Sequence, residues 1–220
     1  MTSISAVIFD MDGLLIDTET TAKYAWQRAA EMFDEQLDDE LLHSLIGRHI
    51  DDALDIISKA WQRDVRNTAF MERVDDIYFA NFMRKGIDVK TGATCLLQEL
   101  AVRDTPIAVA TSSEKEIAPR KLRLAGLEHY FPLIVSGDEV KKSKPSPDIF
   151  HLTAEKLGVD PSECLVLEDS YAGIQGAVEA GMSAIMIPDV LPPTNEMDQL
   201  TVGIYPSLAD AHPAIIDFLG

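Results

Sequence analysis

Four short segments of the 220-residue chain carry side chains that could handle phosphate and metal. Asp10 and Asp12 stand two apart at the end of the apolar run ISAVIF, residues 4–9. In extended backbone, residues two apart point the same way, so both carboxylates can face one site. Held together they repel each other unless a cation or proton relieves them, and Mg²⁺, which prefers oxygen ligands, is the natural partner. Gly13 then permits a sharp exit from the strand. A second segment, Thr111-Ser112-Ser113, offers hydroxyls and backbone N–H groups to phosphate oxygens. A third, Ser143-Lys144-Pro145, supplies a lysine ahead of a helix that Pro145 is suited to start. The fourth, Glu168-Asp169-Ser170, adds two more carboxylates. Each segment alone has a plain structural explanation, as a solvated turn, a helix cap or a loop. Their order carries the argument, because they recur at the ends of strand-like runs or just beyond them.

Those runs are ISAVIF, PIAVA (106–110), PLIVS (132–136), CLVLE (164–168) and SAIMI (183–187). Unbroken apolar runs without alternation suit strands buried on both faces of a parallel sheet. Helical patterns lie between most of them: ATCLLQELAVR, KEIAPRKLRLAG, PDIFHLTAEKLG and AGIQGAVEAG. Gly126, Gly158 and Gly181 stand where left-handed C-terminal caps belong. Strands alternating with helices predict a doubly wound α/β sheet, which binds ligands beyond the C-terminal ends of its strands. From about Thr18 to about Gly86 the strand rhythm stops. TETTAKYAWQRAAEMF, DDELLHSLI, DDALDIISKAW and FMERVDDIYFANFMRK read there as amphipathic helices, inserted after the first strand, and the α/β pattern resumes near Val89. The segment PDVLPPTNEMDQ (188–199) reads as a surface loop.

Composition narrows the classes of function. The chain is 46% hydrophobic and 25% charged, ordinary for a globular protein, with no apolar run approaching the roughly 18–20 residues of a membrane helix. No basic n-region precedes the first strand, so a cytoplasmic location is expected. Cys95 and Cys164 lie in apolar contexts, which predicts buried free thiols rather than a disulfide or a zinc site. The formal net charge of −18 excludes nucleic acid and anionic membranes as natural partners. It also repels an anionic substrate, so a phosphate site on this chain needs local cations.

The ordered set FDMDG, VATSS, SKPSPDIF and LEDSYAGIQGA resembles the haloacid dehalogenase-like hydrolase superfamily, over essentially the whole chain. Within it the sequence is most similar to β-phosphoglucomutase and small sugar phosphatases with a helical cap. The resemblance implies a Rossmann-like core of residues 1–16 and 87–220 and a cap domain of residues 17–86. It implies a nucleophile at Asp10, which would form an aspartyl-phosphate, and an acid/base at Asp12. Mg²⁺ would be held by Asp10, the backbone carbonyl of Asp12 and Asp169, with Glu168 at or near the shell. Thr111 and Ser112 would hold the phosphoryl group, and Lys144 would neutralise charge on it and on Asp10. In Gly47-Arg48-His49, Arg48 matches a cap arginine that contacts substrate phosphate in the mutase, or is an exposed arginine on a helix turn. Asp17 and Thr18 mark the junction into the cap, where Asp17 serves as hinge or as helix cap. The implied partner is a small phosphorylated metabolite, acted on by a monomer.

Two positions depart from the pattern. The mutases carry a histidine five residues after the aspartate matching Asp17; here that residue is Ala22. A mutase must shield its phosphoenzyme from water until the intermediate rebinds, so loss of a cap acid/base group favours simple hydrolysis. Thr91-Gly92 replaces the usual Pro-Gly, with no chemical consequence expected. A phosphomutase is therefore the first alternative. A dehalogenase has no use for Asp12 and Asp169, and a silent binding protein would be expected to have lost Asp10, Asp12 or Lys144. A phosphonate hydrolase needs a Schiff-base lysine, and nothing in the contexts of Lys23 and Lys59 suits either to that role.

Overall fold

The computed structural model describes residues 4–45, 50–66 and 68–220. Six strands form one parallel sheet: β1 (Ala6–Phe9), β2 (Ile107–Ala110), β3 (Ile134–Val135), β4 (Cys164–Glu168), β5 (Ser183–Met186) and β6 (Gly203–Ile204). Their order is β3-β2-β1-β4-β5-β6. Every residue of β1, β2 and β4 is buried, which is why these strands read as unbroken apolar runs. The register sets Phe9 beside Val109 on one side and Leu167 on the other, so the three strands end almost level. Chain order reverses between β1 and β4, and that reversal opens a crevice beyond their C-terminal ends.

After β1 the chain enters four helices, α1 (Glu19–Met32), α2 (Asp39–His43), α3 (Ile50–Ala60) and α4 (Phe70–Lys85). Their apolar residues pack on one another and run on into the apolar layer on one face of the sheet. The Phe70 ring meets Trp26, Phe33 and Trp61 edge-on, at centroid distances of 5.7, 5.6 and 5.2 Å. Such aromatic pairs add to the burial of their large apolar area. The outgoing and returning segments run side by side: Asp17 N–H donates to Asp88 O at 2.8 Å and Lys90 N–H to Leu15 O at 2.9 Å, flanking an antiparallel bridge between Ile16 and Val89.

The remaining helices are α5 (Ala93–Val102), α6 (Ala118–Leu124), α7 (Asp148–Leu157), α8 (Tyr171–Glu179), α9 (Asn195–Leu200) and α10 (Leu208–Leu219). Alternate strand residues face two layers. Val7, Phe9, Val109 and Leu167 pack with Leu96, Leu122 and Ile215 from α5, α6 and α10. Ile8, Ala110, Val166 and Met186 pack with Phe150, Ile174 and Met197 from α7, α8 and α9. The sheet is thus doubly wound, as expected, and Gly126, Gly158 and Gly181 take φ of 74°, 71° and 79°.

Several expectations need correction. Cys164 is buried but Cys95 is exposed, because α5 turns Ala93, Leu96, Leu97 and Leu100 inward and leaves Cys95 on its outer face. The segment 188–199 is a loop only in its first part; Thr194 accepts a hydrogen bond from Met197 N–H and starts α9. Asp17 does not cap α1, whose N-cap is Thr18. Pro145 does not start α7, which begins at Asp148 after Pro147; Lys144-Pro145 is a cis peptide in a turn closed by Ser146 N–H to Ser143 O at 2.9 Å. Strand β6 and helix α10 lie outside the sequence reading. The first is two residues long, and the second contains Pro213, a residue that ordinarily argues against a helix interior.

Candidate active site

Asp10 follows β1 directly, and its N–H donates to Leu167 O at 3.0 Å, which extends the pairing with β4. Its carboxylate lies beside the end of that strand, where Glu168 and Asp169 stand. Lys144 reaches the same point from the loop before α7. Its ammonium donates to Asp10 Oδ1 and Glu168 Oε1, each at 2.6 Å, and to Ala110 O at 3.0 Å. Lys144, Asp10 and Glu168 are all buried. Burial works against the charge on Lys144, but Asp10 and Glu168 outweigh it and raise its pKa. The buried lysine therefore stays an ammonium.

Glu168 is held on both oxygens. Oε2 accepts from the Ser170 N–H and hydroxyl, both at 2.8 Å, and Ser170 also caps α8 through Gly173 N–H at 3.1 Å. Asp10 spends Oδ1 on Lys144; no hydrogen bond reaches its Oδ2 among the described residues. Burial pushes the Asp10 carboxyl up to about 7, with Glu168 and Asp12 adding to the rise and Lys144 opposing it. Burial also raises Asp169 well above the ordinary carboxylate range, reinforced by Glu168, Asp10, Glu19 and Asp189. Carboxylate oxygens of Asp10, Glu168 and Asp169 all lie within 4.8 Å of one another. An all-oxygen, densely negative and buried donor set fits a small hard divalent cation such as Mg²⁺. Gly13 makes the close approach possible. It has φ of 88°, and a Cβ there would stand 2.3 Å from Asp169 Oδ2.

Asp12 faces a different set of partners. Thr18 Oγ1 donates to Oδ1 at 2.7 Å, Ser113 Oγ to Oδ2 at 2.8 Å, and Lys121 Nζ to Oδ1 at 2.8 Å. Burial alone would raise its pKa, but Lys121, then Thr18 and Ser113, outweigh it and lower the pKa. In this state Asp12 is a carboxylate. Thr111 and Ser112 line the cavity with Asp10 and Asp12; Thr111 is buried and its Oγ1 accepts from Ser113 N–H at 3.1 Å. The cavity has a volume of about 480 Å³ and runs from this polar floor to Trp26, Met71, Val74 and Phe79 on the inserted helices. Ala22 also lines it, so the missing histidine would have pointed at the site. Arg48 and His49 lie outside the described residues.

Comparison with known proteins agrees with this layout. Residues 7–187 match the model of the haloacid dehalogenase-like hydrolases. The chain belongs to that family. The fructose-1-phosphate phosphatase YqaB of Escherichia coli is 34% identical over 189 residues, covering 82% of this chain and 95% of that protein. The phosphorylated carbohydrates phosphatase of Thermotoga maritima is 33% identical over 185 residues, covering 83% and 84%. The β-phosphoglucomutase of Clostridium difficile shares the fold, with a TM-score of 0.84 at 23% identity over 98% of this chain and 97% of that one. These likenesses set this hydrolase in the sugar-phosphatase-like subgroup and make it a phosphoric monoester hydrolase.

In this hydrolase the structure brings together every proposed core residue: Asp10, Asp12, Thr111, Ser112, Lys144 and Asp169 line one cavity, with Glu168 directly behind. It also adds one that the sequence reading missed. Lys121 of α6 is buried and touches Asp12, Ser113 and the Tyr78 ring of α4, whose centroid is 5.2 Å away. A signal existed. Ala118 and Leu122 define the inward face of α6, and Lys121 falls on it, a charge where an apolar residue belongs.

Proposed function

We propose that this hydrolase is a Mg²⁺-dependent phosphatase that cleaves small phosphate monoesters, principally sugar phosphates, through an aspartyl-phosphate on Asp10. The observation carrying this reading is the buried meeting of Asp10, Glu168 and Asp169 with Lys144 at the end of β1. The phosphatases named above, which act on phosphorylated carbohydrates, support the substrate class. Residues 17–86 form the cap domain, and Arg48 within it is the proposed cap contact to substrate. A monomeric cytoplasmic enzyme fits the −18 charge. Among the described residues no helix is long and apolar enough to cross a membrane.

Asp10, Asp169 and the backbone carbonyl of Asp12 would hold the ion, with Glu168 beside them. When bound, the ion offsets negative charge on the phosphoryl oxygens. Lys144 does the same from the protein side and steers Asp10, while Thr111 and Ser112 take the remaining phosphoryl oxygens. Asp10 attacks phosphorus, the ester P–O bond breaks, and the leaving oxygen takes a proton from Asp12. For that step Asp12 must arrive protonated, which the approach of a phosphate dianion favours by raising its proton affinity. Water then attacks the phosphorus of the acyl phosphate, Asp12 takes back the proton, and inorganic phosphate leaves Asp10 as a carboxylate.

Likeness to β-phosphoglucomutase favours a second reading, phosphomutase, and Ala22 on the cavity wall opposes it. A phosphate-release screen across sugar phosphates, phosphoglycolate and nucleotides, with and without Mg²⁺, tests the proposal. Asp10→Asn is expected to abolish turnover and trapping of a metallofluoride; substantial residual hydrolysis overturns the nucleophile. Interconversion of β-glucose 1-phosphate and glucose 6-phosphate faster than phosphate release would establish the mutase instead.

A further inference from the structure

Asp189 is three residues past β5 and takes no part in the chemistry above. Lys90 Nζ donates to its Oδ1 at 2.6 Å, and both side chains are largely buried. Its Oδ2 is buried and has no hydrogen-bond partner among the described residues. An unsatisfied buried carboxylate oxygen is costly and calls for an occupant that can donate to it. The oxygen faces the carboxylate cluster. A Cβ placed on Gly13 would lie 2.3 Å from Asp169 Oδ2 and 3.3 Å from Asp189 Oδ2, so both oxygens border one small space above Gly13. Asp189 nevertheless stands apart from the three carboxylates whose oxygens lie within 4.8 Å of one another.

We infer that Asp189 is a positioning residue of the cation site, whose Oδ2 orders water in the ion's shell while Lys90 fixes the carboxylate. The inference rests on reading Asp10, Glu168 and Asp169 as a divalent-cation site. Mg²⁺ demands near-octahedral geometry and keeps several waters, and each water needs an acceptor to set its direction. Carboxylates one layer out from the metal commonly supply it. Lys90 is suited to the tether because its own backbone is fixed: its N–H is bonded to Leu15 O beside the Ile16–Val89 bridge. The arrangement joins the cation site to the segment by which the chain returns from the inserted helices.

The test is Mn²⁺ titration of the full chain without substrate, following free Mn²⁺ by electron paramagnetic resonance. Asp189→Ala is expected to weaken Mn²⁺ binding by about 10- to 100-fold, with a metal-free melting temperature close to that of the wild type. Lys90→Met, which keeps the carboxylate but frees it, should weaken binding by less. Asp189→Asn replaces the alanine variant if that one fails to fold, and is expected to weaken binding as well. Binding within about twofold of wild type in the folded Asp189 variant overturns the inference. So does a Lys90→Met defect larger than that of Asp189→Ala. A wild-type chain that binds no Mn²⁺ overturns the cation site itself, an outcome separate from either of these.

Discussion

Lys121 Nζ lies 2.8 Å from Asp12 Oδ1, and this contact gives the second aspartate of the site a cation of its own. Asp10 has another in Lys144, at 2.6 Å. A chain with a net charge of −18 thus concentrates two buried ammonium groups on the two carboxylates that flank its proposed phosphate site. Burial works against the charge of Lys121, but Asp12 and Tyr78 outweigh it and raise its pKa, so the ammonium persists across the neutral range. Tyr78 belongs to α4 and Asp12 to the end of β1, which makes Lys121 a link between the inserted helices and the sheet.

Lys121→Met should therefore impair the work of Asp12 rather than phosphate binding. Expected is a fall in kcat of about 10²-fold on a sugar phosphate, within the usual range for a displaced acid/base group, with KM little changed. Nitrophenyl phosphate, whose leaving group departs without a proton, should lose much less. Lys121→Arg should recover part of the loss. Steady-state kinetics on both esters check this, and equal losses on the two would place Lys121 on the phosphoryl group or on the shared hydrolysis of the acyl phosphate instead of on leaving-group departure.

Gly173 offers a test of how tightly the Lys144 cluster is built. A Cβ on Gly173 would stand 1.7 Å from Glu168 Oε1, so Gly173→Ala must displace a carboxylate held by Lys144 and Ser170. Overpacking of this kind costs about 1–3 kcal/mol. At Gly176, one turn on, the nearest atoms would be 3.0 and 3.1 Å away, and Gly176→Ala should cost less. Urea denaturation of both variants is expected to rank Gly173→Ala the less stable, and kcat to fall further in it, because Glu168 and Asp10 share the same ammonium.

The sequence made the central strands legible for one physical reason. β1, β2 and β4 are buried on both faces, so their apolar runs are unbroken and end abruptly at the first polar residue. Asp10, Thr111 and Asp169 are those first polar residues or their neighbours, and so the site was legible with them. Lys121 was marked only as a charge on the inward face of α6, and its role could not be read because its partner Asp12 lies 109 residues earlier in the chain. Asp189 was hidden similarly, within a segment that read as a surface loop. Cys95 was misjudged because apolar neighbours in sequence are not neighbours in space on a helix.

The two thiols should differ sharply in reactivity. Cys95 is exposed, whereas Cys164 is buried at the start of β4 with its Sγ 3.6 Å from Asp160 O. Burial, with Asp160 and Glu163 nearby, pushes the Cys164 thiol up to about 11. Little thiolate forms at pH 8, and what forms is shielded. Iodoacetamide should label only Cys95 in the native protein and both after denaturation, as read by mass spectrometry. Native labelling of both thiols would contradict the packing of β4.

The segment between β3 and Lys144 yields a prediction about pH. Ser136 N–H donates to Glu139 Oε1 at 3.1 Å, and Lys156 donates to Oε2 at 2.7 Å, which pins the turn Gly137–Glu139 to α7. Burial tends to raise the Glu139 pKa, but Lys156, then Ser136, outweigh it and lower it from 4.5. A depressed folded-state pKa means stabilisation that is fully present above the unfolded value and is lost as pH falls through the folded one. Glu139→Gln keeps an acceptor for Ser136 N–H but removes the charge facing Lys156. It should cost about 0.5–1 kcal/mol at pH 7, and the gap to wild type should close as the pH drops below the carboxylate range. Urea denaturation at pH 7 and at low pH measures both gaps. A gap that persists in acid would trace the loss to the turn's hydrogen bonding, and the ion pair would have no part in holding the approach to Lys144.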